Sequence, residues 1–208
     1  MKEKLLGYLD ENFPDLCSDI YIRFELGEPF KNGSDERMEQ VITRVVALFE
    51  DLFDTNDNIC IYIKDWEIDG DPMFGDTTPI YIYQLFEKHV LEEETMYKLD
   101  EDIDEMGNSV QITQAYKVRF LSDQLAEIPY KKIFNGIANY EQGREPSISQ
   151  CIYFINLEKD ILFHMYDDRG CIVYSKSKDK LINMYRKYNK WIVDYWRSSI
   201  DYMFSEKI

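Results

Sequence analysis

The stretch that decides the fold lies near the carboxyl end, where residues 148–174 read ISQCIYFINLEKDILFHMYDDRGCIVY. Apolar runs at 148–156, 161–166 and 171–174 are separated by Leu-Glu-Lys-Asp and Asp-Asp-Arg-Gly. Short apolar runs bounded by turn-forming residues are typical of β-strands. This stretch therefore predicts a three-stranded antiparallel meander.

The chain around this meander mixes helical and strand patterns. Helical spacing of apolar residues predicts helices at 2–13, 35–53, 80–90, 129–140 and 178–204, the last as one long or two short helices. Short apolar or alternating runs predict strands at 20–26, 59–63 and 110–120. Because strands and helices do not alternate regularly, we expect an α+β fold. Its antiparallel sheet includes the C-terminal meander and is packed with helices, and the 208 residues form a single acidic domain.

Charge is the most informative bulk property of the chain. Aspartate and glutamate number 40 against 24 lysines and arginines, which gives a net charge of −16. Binding to nucleic acid or to anionic membranes is disfavoured, since both need a positive surface. A basic protein partner would instead be attracted. The amino terminus lacks the apolar core of a signal peptide, and no apolar run approaches the ~20 residues of a membrane span, so we expect a cytoplasmic protein.

The strongest local charge lies at residues 92–105, where eight carboxylates stand against Lys98, for a net charge of −7. The pattern is compatible with a solvated helix end or with the edge of a hairpin. We take six of these carboxylates as the candidate binding residues for a basic partner: Glu92, Glu93, Glu94, Asp100, Glu101 and Asp102. A merely solvated face is the alternative, and the acidic loop at 65–76 is a second candidate surface.

One group of residues that could carry chemistry is His164 with Asp167, Asp168 and Arg169. A histidine beside carboxylates can act as a general base or a metal ligand. The simpler interpretation is a hairpin turn, because Asp and Gly favour turns and Arg169 can pair locally with an aspartate. We favour the turn.

A second group is Arg23 and Glu25 on the first predicted strand, with Arg44 on the following helix. Side chains alternate along a strand, so Arg23 and Glu25 share one face. We expect at least one buried Arg–Glu contact among these residues, with anion binding by the two arginines as the functional alternative.

Other site patterns are weak or absent from the sequence. Residues 54–58 match the first ligand positions of a calcium loop, but Ile59 stands where that loop needs glycine. The cysteines, at 17, 60, 151 and 171, lack zinc-site spacing, and phosphate-binding, nucleophile-elbow and zinc-protease motifs are missing. We expect no required metal and no cofactor.

Three segments together resemble a known family. They are Arg23-Phe24-Glu25-Leu26-Gly27 with Arg44, Tyr166-Asp167-Asp168-Arg169-Gly170, and Tyr188-Asn189-Lys190-Trp191-Ile192. Their combination and order resemble the bacterial domain-of-unknown-function family 3885, found mainly in Gram-positive bacteria, over residues 15–204. The family implies no established activity. Physically, Gly27 and Gly170 suggest positive-φ positions at strand ends, and Tyr188 and Trp191 suggest an aromatic anchor of the last helices on the meander.

These observations favour a binding protein over an enzyme. The leading hypothesis is an acidic protein-binding module of the immunity type, which neutralises a basic toxin; this is an analogy of type only. The alternatives are an enzyme built on Asp167, Asp168 and His164, and a regulatory homodimer without catalysis. The oligomeric state stays open at this stage.

Overall fold

The computed structural model describes residues 2–65, 80–103 and 109–205. Its helices are α1 (Lys2–Asn12), α2 (Asp35–Leu52), α3 (Tyr81–Leu85), α4 (Tyr130–Tyr140), α5 (Lys178–Lys187) and α6 (Asp194–Phe204). Its strands are β1 (Ile20–Glu25), β2 (Asn58–Asp65), β3 (Glu92–Ile103), β4 (Ser109–Gln124), β5 (Cys151–Asn156), β6 (Ile161–Asp167) and β7 (Gly170–Ser175). None of these helices is long and apolar enough to cross a membrane.

The strands form one antiparallel sheet in the order β1-β7-β6-β5-β2-β4-β3. This confirms the α+β class and the C-terminal meander, which is β5-β6-β7. The first strand of the meander begins at Cys151 rather than at Ile148. The amide of Ile148 instead donates to the carbonyl of Gly136 at 2.9 Å and ties this segment to α4.

Most helices cover one face of the sheet. The apolar side of α2, with Val41, Val45, Leu48 and Phe49, is fully buried against strand residues such as Phe154 and Phe163. Ser34 caps α2 by accepting a hydrogen bond from the amide of Arg37, as the Ser-Asp-Glu start of the helix predicts.

The opposite face is covered over part of its area by α1. Leu5 and Leu9 of α1, with Phe13 just beyond it, pack against Tyr62 and Phe120 in a separate apolar cluster. Half-buried tyrosines lie on the same face of the sheet, among them Tyr153 of β5 and Tyr174 of β7. In the part of the chain that the structure describes, the sheet therefore has one closed face and one that is partly open.

One helix prediction changes in the structure, and one open alternative is decided. The helix predicted at 80–90 is only α3, because the chain turns after Leu85 to enter β3 at Glu92. The C-terminal helical region is two helices, since residues 192–193 run alongside β1: the Val193 amide donates to the Arg23 carbonyl at 3.0 Å, and Ile192 pairs with Phe24. Residues 66–76 of the acidic loop lie outside the described residues.

Candidate functional site

The three segments that stand out in the sequence meet at one corner of the molecule. The amide of Leu26, just after β1, donates to the carbonyl of Arg169 in the β6–β7 turn at 2.9 Å. The turn after α5 reaches the same strand through the pairing of Ile192 with Phe24. The first segment is thus packed against two others that come roughly 140 positions or more later in the sequence.

The centre of this corner is a buried ion pair between Arg37 of α2 and Asp168 of the turn. Arg37 Nε lies 2.5 Å from Asp168 Oδ2, and the two side chains are 3% and 1% exposed. Arg37 also donates to the carbonyl of Phe30 at 3.0 Å. The second oxygen, Asp168 Oδ1, has no hydrogen-bond partner within the described ranges. Burial of both charges makes each dependent on the other.

Gly27 and Gly170 allow this packing because neighbouring atoms lie close to their α-carbons, and not because of their backbone conformation. A Cβ added to Gly27 would lie 2.2 Å from Cζ of Arg37, and one added to Gly170 would lie 2.5 Å from the Phe24 carbonyl oxygen. Neither glycine has a positive φ, so the expectation of a left-handed conformation was wrong. Both positions need the missing side chain because a neighbouring group occupies its place.

The expected ion pair between Glu25 and an arginine is not formed among the described residues, and the contact of Arg44 with Glu25 is made through the backbone. In the described part of the chain, the Glu25 carboxylate forms no ion pair with Arg23 or Arg44; it accepts hydrogen bonds from the amides of Gly27 and Glu28, at 3.1 and 3.2 Å. Arg44 donates to the carbonyls of Glu25, Leu26 and Glu28 at 3.1–3.4 Å. Its role is to hold the loop after β1.

The aromatic anchor predicted for the last helices is present, but it contacts other elements. Tyr188 packs edge-on against Phe24 of β1, with 6.4 Å between ring centroids, and its hydroxyl donates to the Ala47 carbonyl of α2 at 3.1 Å. Trp191 stacks on Tyr188 and lies under the Arg44 guanidinium, 5.3 Å from Cζ to the ring. The anchor therefore ties the helices to β1 and α2.

The Asp-Asp-Arg-Gly segment is the turn between β6 and β7. Asp167 accepts from the Arg169 amide at 2.7 Å and forms an ion pair with the Arg169 side chain. His164 forms a hydrogen bond with neither Asp167 nor Arg169. Its Nδ1 hydrogen-bonds to the Ile152 carbonyl at 2.9 Å, and its ring stacks on Tyr153. Burial lowers the pKa of His164 to about 4, so the ring is neutral at pH 7 and Nδ1 is the donor.

Residues 92–103 of the acidic segment form β3, the outermost of the described strands at this edge of the sheet. Its first residues are partly neutralised: Lys2 lies 3.1 Å from Glu94, and Arg119 lies 2.7 Å from Glu93. The last described pair between β2 and β4 is Asp65 with Lys117. Beyond it, residues 96–103 and 109–116 pair only with each other among the described strands. This two-stranded extension, called the acidic arm below, carries Asp100, Glu101 and Asp102.

The model of the domain-of-unknown-function family DUF3885 matches residues 5–196. The chain belongs to this family. It is also similar to the uncharacterized protein YnaE of Bacillus subtilis (strain 168), at 25% identity over 217 residues, which cover 92% of this chain and 98% of that protein. No solved structure matches significantly. The family match spans all three converging segments.

Two arginines of this DUF3885 chain were not anticipated from the sequence. Arg37 follows the cap of α2 by three residues and lies seven positions before Arg44, on the same helical face, which is the available signal. Arg119 of β4 joins Glu93, Asp65 and the Tyr83 hydroxyl. Burial and the Asp65 hydrogen bond raise the pKa of Tyr83, so its phenol stays protonated.

Metal ligands do not cluster in the described residues, where no group of three histidine, cysteine or acidic side chains could hold an ion. The segment at 54–58 that partly matches a calcium loop is a turn. Asp57 accepts from the Asp54 amide at 2.9 Å, and Lys159 forms ion pairs with both carboxylates. A lysine therefore occupies the position that a cation would need.

Proposed function

We propose that this DUF3885 chain is an acidic protein-binding module that recognises a basic protein partner through β3, in the manner of an immunity protein that neutralises a basic toxin. One observation carries the proposal. Twelve residues of the acidic segment, Glu92–Ile103 with six carboxylates and one lysine, form the outermost strand of the sheet among the described strands, where the backbone of an edge strand is available to a partner.

An edge strand offers a row of backbone donors and acceptors to another chain. The outer edge of β3 is not paired with any strand that the structure describes. The other edge of the sheet differs, since Ile192 and Val193 run along β1 and form the contacts given above. Strand addition, a common mode of protein recognition, is therefore supported at β3 and not at β1.

Charge on β3 selects the kind of partner. Like charges placed opposite each other across two strands are destabilising. Two copies of β3 would place acidic side chains against acidic side chains, which disfavours a homodimer through this edge. A strand or loop rich in lysine and arginine would gain both backbone pairing and charge complementarity, with rapid association at low salt.

The arrangement around the β6–β7 turn gives little support to the enzyme alternative. Asp167 is held by Arg169, Asp168 is buried against Arg37, and His164 is bonded to the Ile152 carbonyl. A general base must reach its substrate with a suitable pKa, and His164 is half-buried with a pKa of about 4.

The test compares association rates of matched variants. The D100N/E101Q/D102N variant removes three charges from the acidic arm, and the E36Q/E39Q/D179N variant removes three from exposed positions on α2 and α5. The partner is isolated by co-purification from the native host, and its association is followed from about 20 to 300 mM salt. We expect the arm variant to associate at least about tenfold more slowly at low salt.

The control variant has the same net charge as the arm variant, but it should associate at nearly the parental rate, because its changes lie on α2 and α5 and not on β3. Equal rates for the arm variant and the parent across the salt series would contradict binding through β3. Equal slowing of both variants would mean that net charge acts without a defined surface.

A further inference from the structure

Arg23 differs from the other arginines whose contacts are described. Carboxylates pair with five of them, Arg37, Arg119, Arg144, Arg169 and Arg197. Arg44 is bound by three backbone carbonyls. Arg23 has no carboxylate within ion-pair distance among the described residues, although the chain carries 40 acidic side chains.

The guanidinium of Arg23 is held by aromatic rings. Its Nε donates to the Tyr166 hydroxyl at 3.1 Å, and its Cζ lies 4.7 Å from the Tyr166 ring centroid and 5.9 Å from that of Trp196. Such contacts fix the plane of the group. A guanidinium has five N–H donors, so the terminal nitrogens keep donors that no described residue accepts.

Arg23 lines a cavity of about 330 Å³ on the partly open face of the sheet. Its walls include Tyr21, Tyr174, Trp196 and Ile172, and the exposed Cys17 lies at its border. The volume is at the lower end of known ligand pockets. A positively charged donor group is thus fixed inside a cavity with flat, mostly apolar walls.

We propose that this cavity binds a small planar organic anion, a carboxylate or phosphate group attached to an aromatic ring. The oxyanion pairs with the free donors of Arg23, because a guanidinium matches the geometry of both anions in a two-point contact. The ring packs between the tyrosine and tryptophan side chains. The net charge of −16 does not prevent this, since distant charges are screened beyond ~8 Å at physiological salt.

This site is independent of the proposed partner surface. The cavity lies on β1 and β7 at one end of the strand order, and β3 lies at the other end. Loss of one activity therefore leaves the other testable.

The experiment titrates the full chain with four probes, with binding followed by ligand-observed nuclear magnetic resonance. Benzoate and phenyl phosphate carry both ring and anion, benzamide lacks the charge, and inorganic phosphate lacks the ring. We expect at least one ring-bearing anion to bind with a Kd below about 10 mM, and benzamide and inorganic phosphate to bind at least about tenfold more weakly. The tighter of the two anions identifies the ligand as a carboxylate or a phosphate.

Variants locate the binding. R23Q should weaken it at least about tenfold, R23K should have an intermediate effect, and K178Q, which removes the same charge from an exposed position on α5, should have none. The C17F variant should block the cavity without altering Arg23. The bound probe should also slow alkylation of Cys17 by iodoacetamide relative to Cys151, which does not line the cavity.

Circular dichroism checks that each variant is folded. If R23Q does not fold, C17F tests whether the probe binds in the cavity. The proposal is overturned if none of the ring-bearing anions binds at about 10 mM. It is also overturned if the tighter anion binds folded C17F and R23Q as it binds the parent.

Discussion

At the scale of single residues, one buried ion pair holds together the corner where the three segments meet. Its two members differ in how many other hydrogen bonds they make. Arg37 donates hydrogen bonds to both Asp168 and the Phe30 carbonyl. The carboxylate of Asp168 pairs with Arg37 through one oxygen, and its other oxygen has no hydrogen-bond partner among the described residues. A buried pair costs desolvation when it forms, and the loss of one member leaves the other charged in an apolar environment. The fold therefore depends on Arg37 more than the apolar pattern of α2 suggests.

The replacement R37M tests this dependence. It keeps the length of an unbranched side chain but leaves the Asp168 carboxylate buried without its cation, so we expect the free energy of unfolding to fall by about 3–5 kcal/mol. Urea denaturation of R37M, D168N and the double variant measures the loss and the coupling between the two positions.

The double variant should be more stable than the sum of the single losses implies, because no stranded charge remains. An R37M protein with the parental midpoint and slope would contradict the buried pair. The E36Q variant, at the exposed neighbouring position, is the control and should change stability by no more than about 0.5 kcal/mol.

His164 makes stability depend on pH between 6.5 and 4. Its pKa is lowered to about 4 in the folded chain by burial, against ~6.5 in an unfolded chain. Below pH 6.5 the unfolded state binds a proton that the folded state does not, so stability falls as pH decreases toward 4. The expected loss from this residue is about 2 kcal/mol between pH 6.5 and 5.

The H164Q variant keeps a side-chain donor for the Ile152 carbonyl and removes the titration. We expect its free energy of unfolding to change less than that of the parent over this pH interval, as measured by urea denaturation at several pH values. Parallel pH curves for the two proteins would show that His164 is not the residue responsible.

At the scale of secondary-structure elements, predictability follows burial. The apolar spacing of α2 and the apolar runs of the meander predict these elements correctly. One side of α2 is buried in the core, and the meander strands contribute a continuous row of core residues. The sequence of β3 does not decide between a helix end and a hairpin edge, since its consecutive acidic residues lack the alternation of apolar residues that marks a half-buried strand. The helix predicted at 80–90 is shorter in the structure, because turns at residues 86–89 follow Leu85 and lead the chain into β3.

The site was less predictable than the elements that form it. Three segments were recognised in the sequence, and the structure places them together. The partner of Asp168 was missed, since Arg37 is 131 positions away and helical periodicity does not identify a buried ion pair across such a separation. Glycine also gave an ambiguous signal: a positive φ and a crowded backbone both require it, and only coordinates distinguish them.

At the scale of the whole molecule, the two edges of the sheet differ in what covers them and in their charge. The edge at β1 is covered by the segment around Ile192 and carries the converging motifs. The edge at β3 is open among the described residues and carries the densest negative charge. Charged residues on an exposed edge are a known protection against edge-to-edge aggregation. The same carboxylates can thus repel a second copy of the chain and, under the proposed function, attract a basic partner.

This double role predicts the behaviour of the acidic arm in the absence of any partner. In the D100N/E101Q/D102N variant, the repulsion between two β3 edges is reduced while their backbone groups remain available. We therefore expect greater self-association than in the parent, and we expect salt to promote self-association of the parent by screening the same charges. Sedimentation velocity at several concentrations, at about 20 and 300 mM salt, measures both effects. The E36Q/E39Q/D179N variant carries the same net charge and should behave as the parent, because its changes lie on helices. Equal self-association of the two variants would assign the effect to net charge, and no change in either would mean that the carboxylates of the arm are not what keeps β3 unpaired.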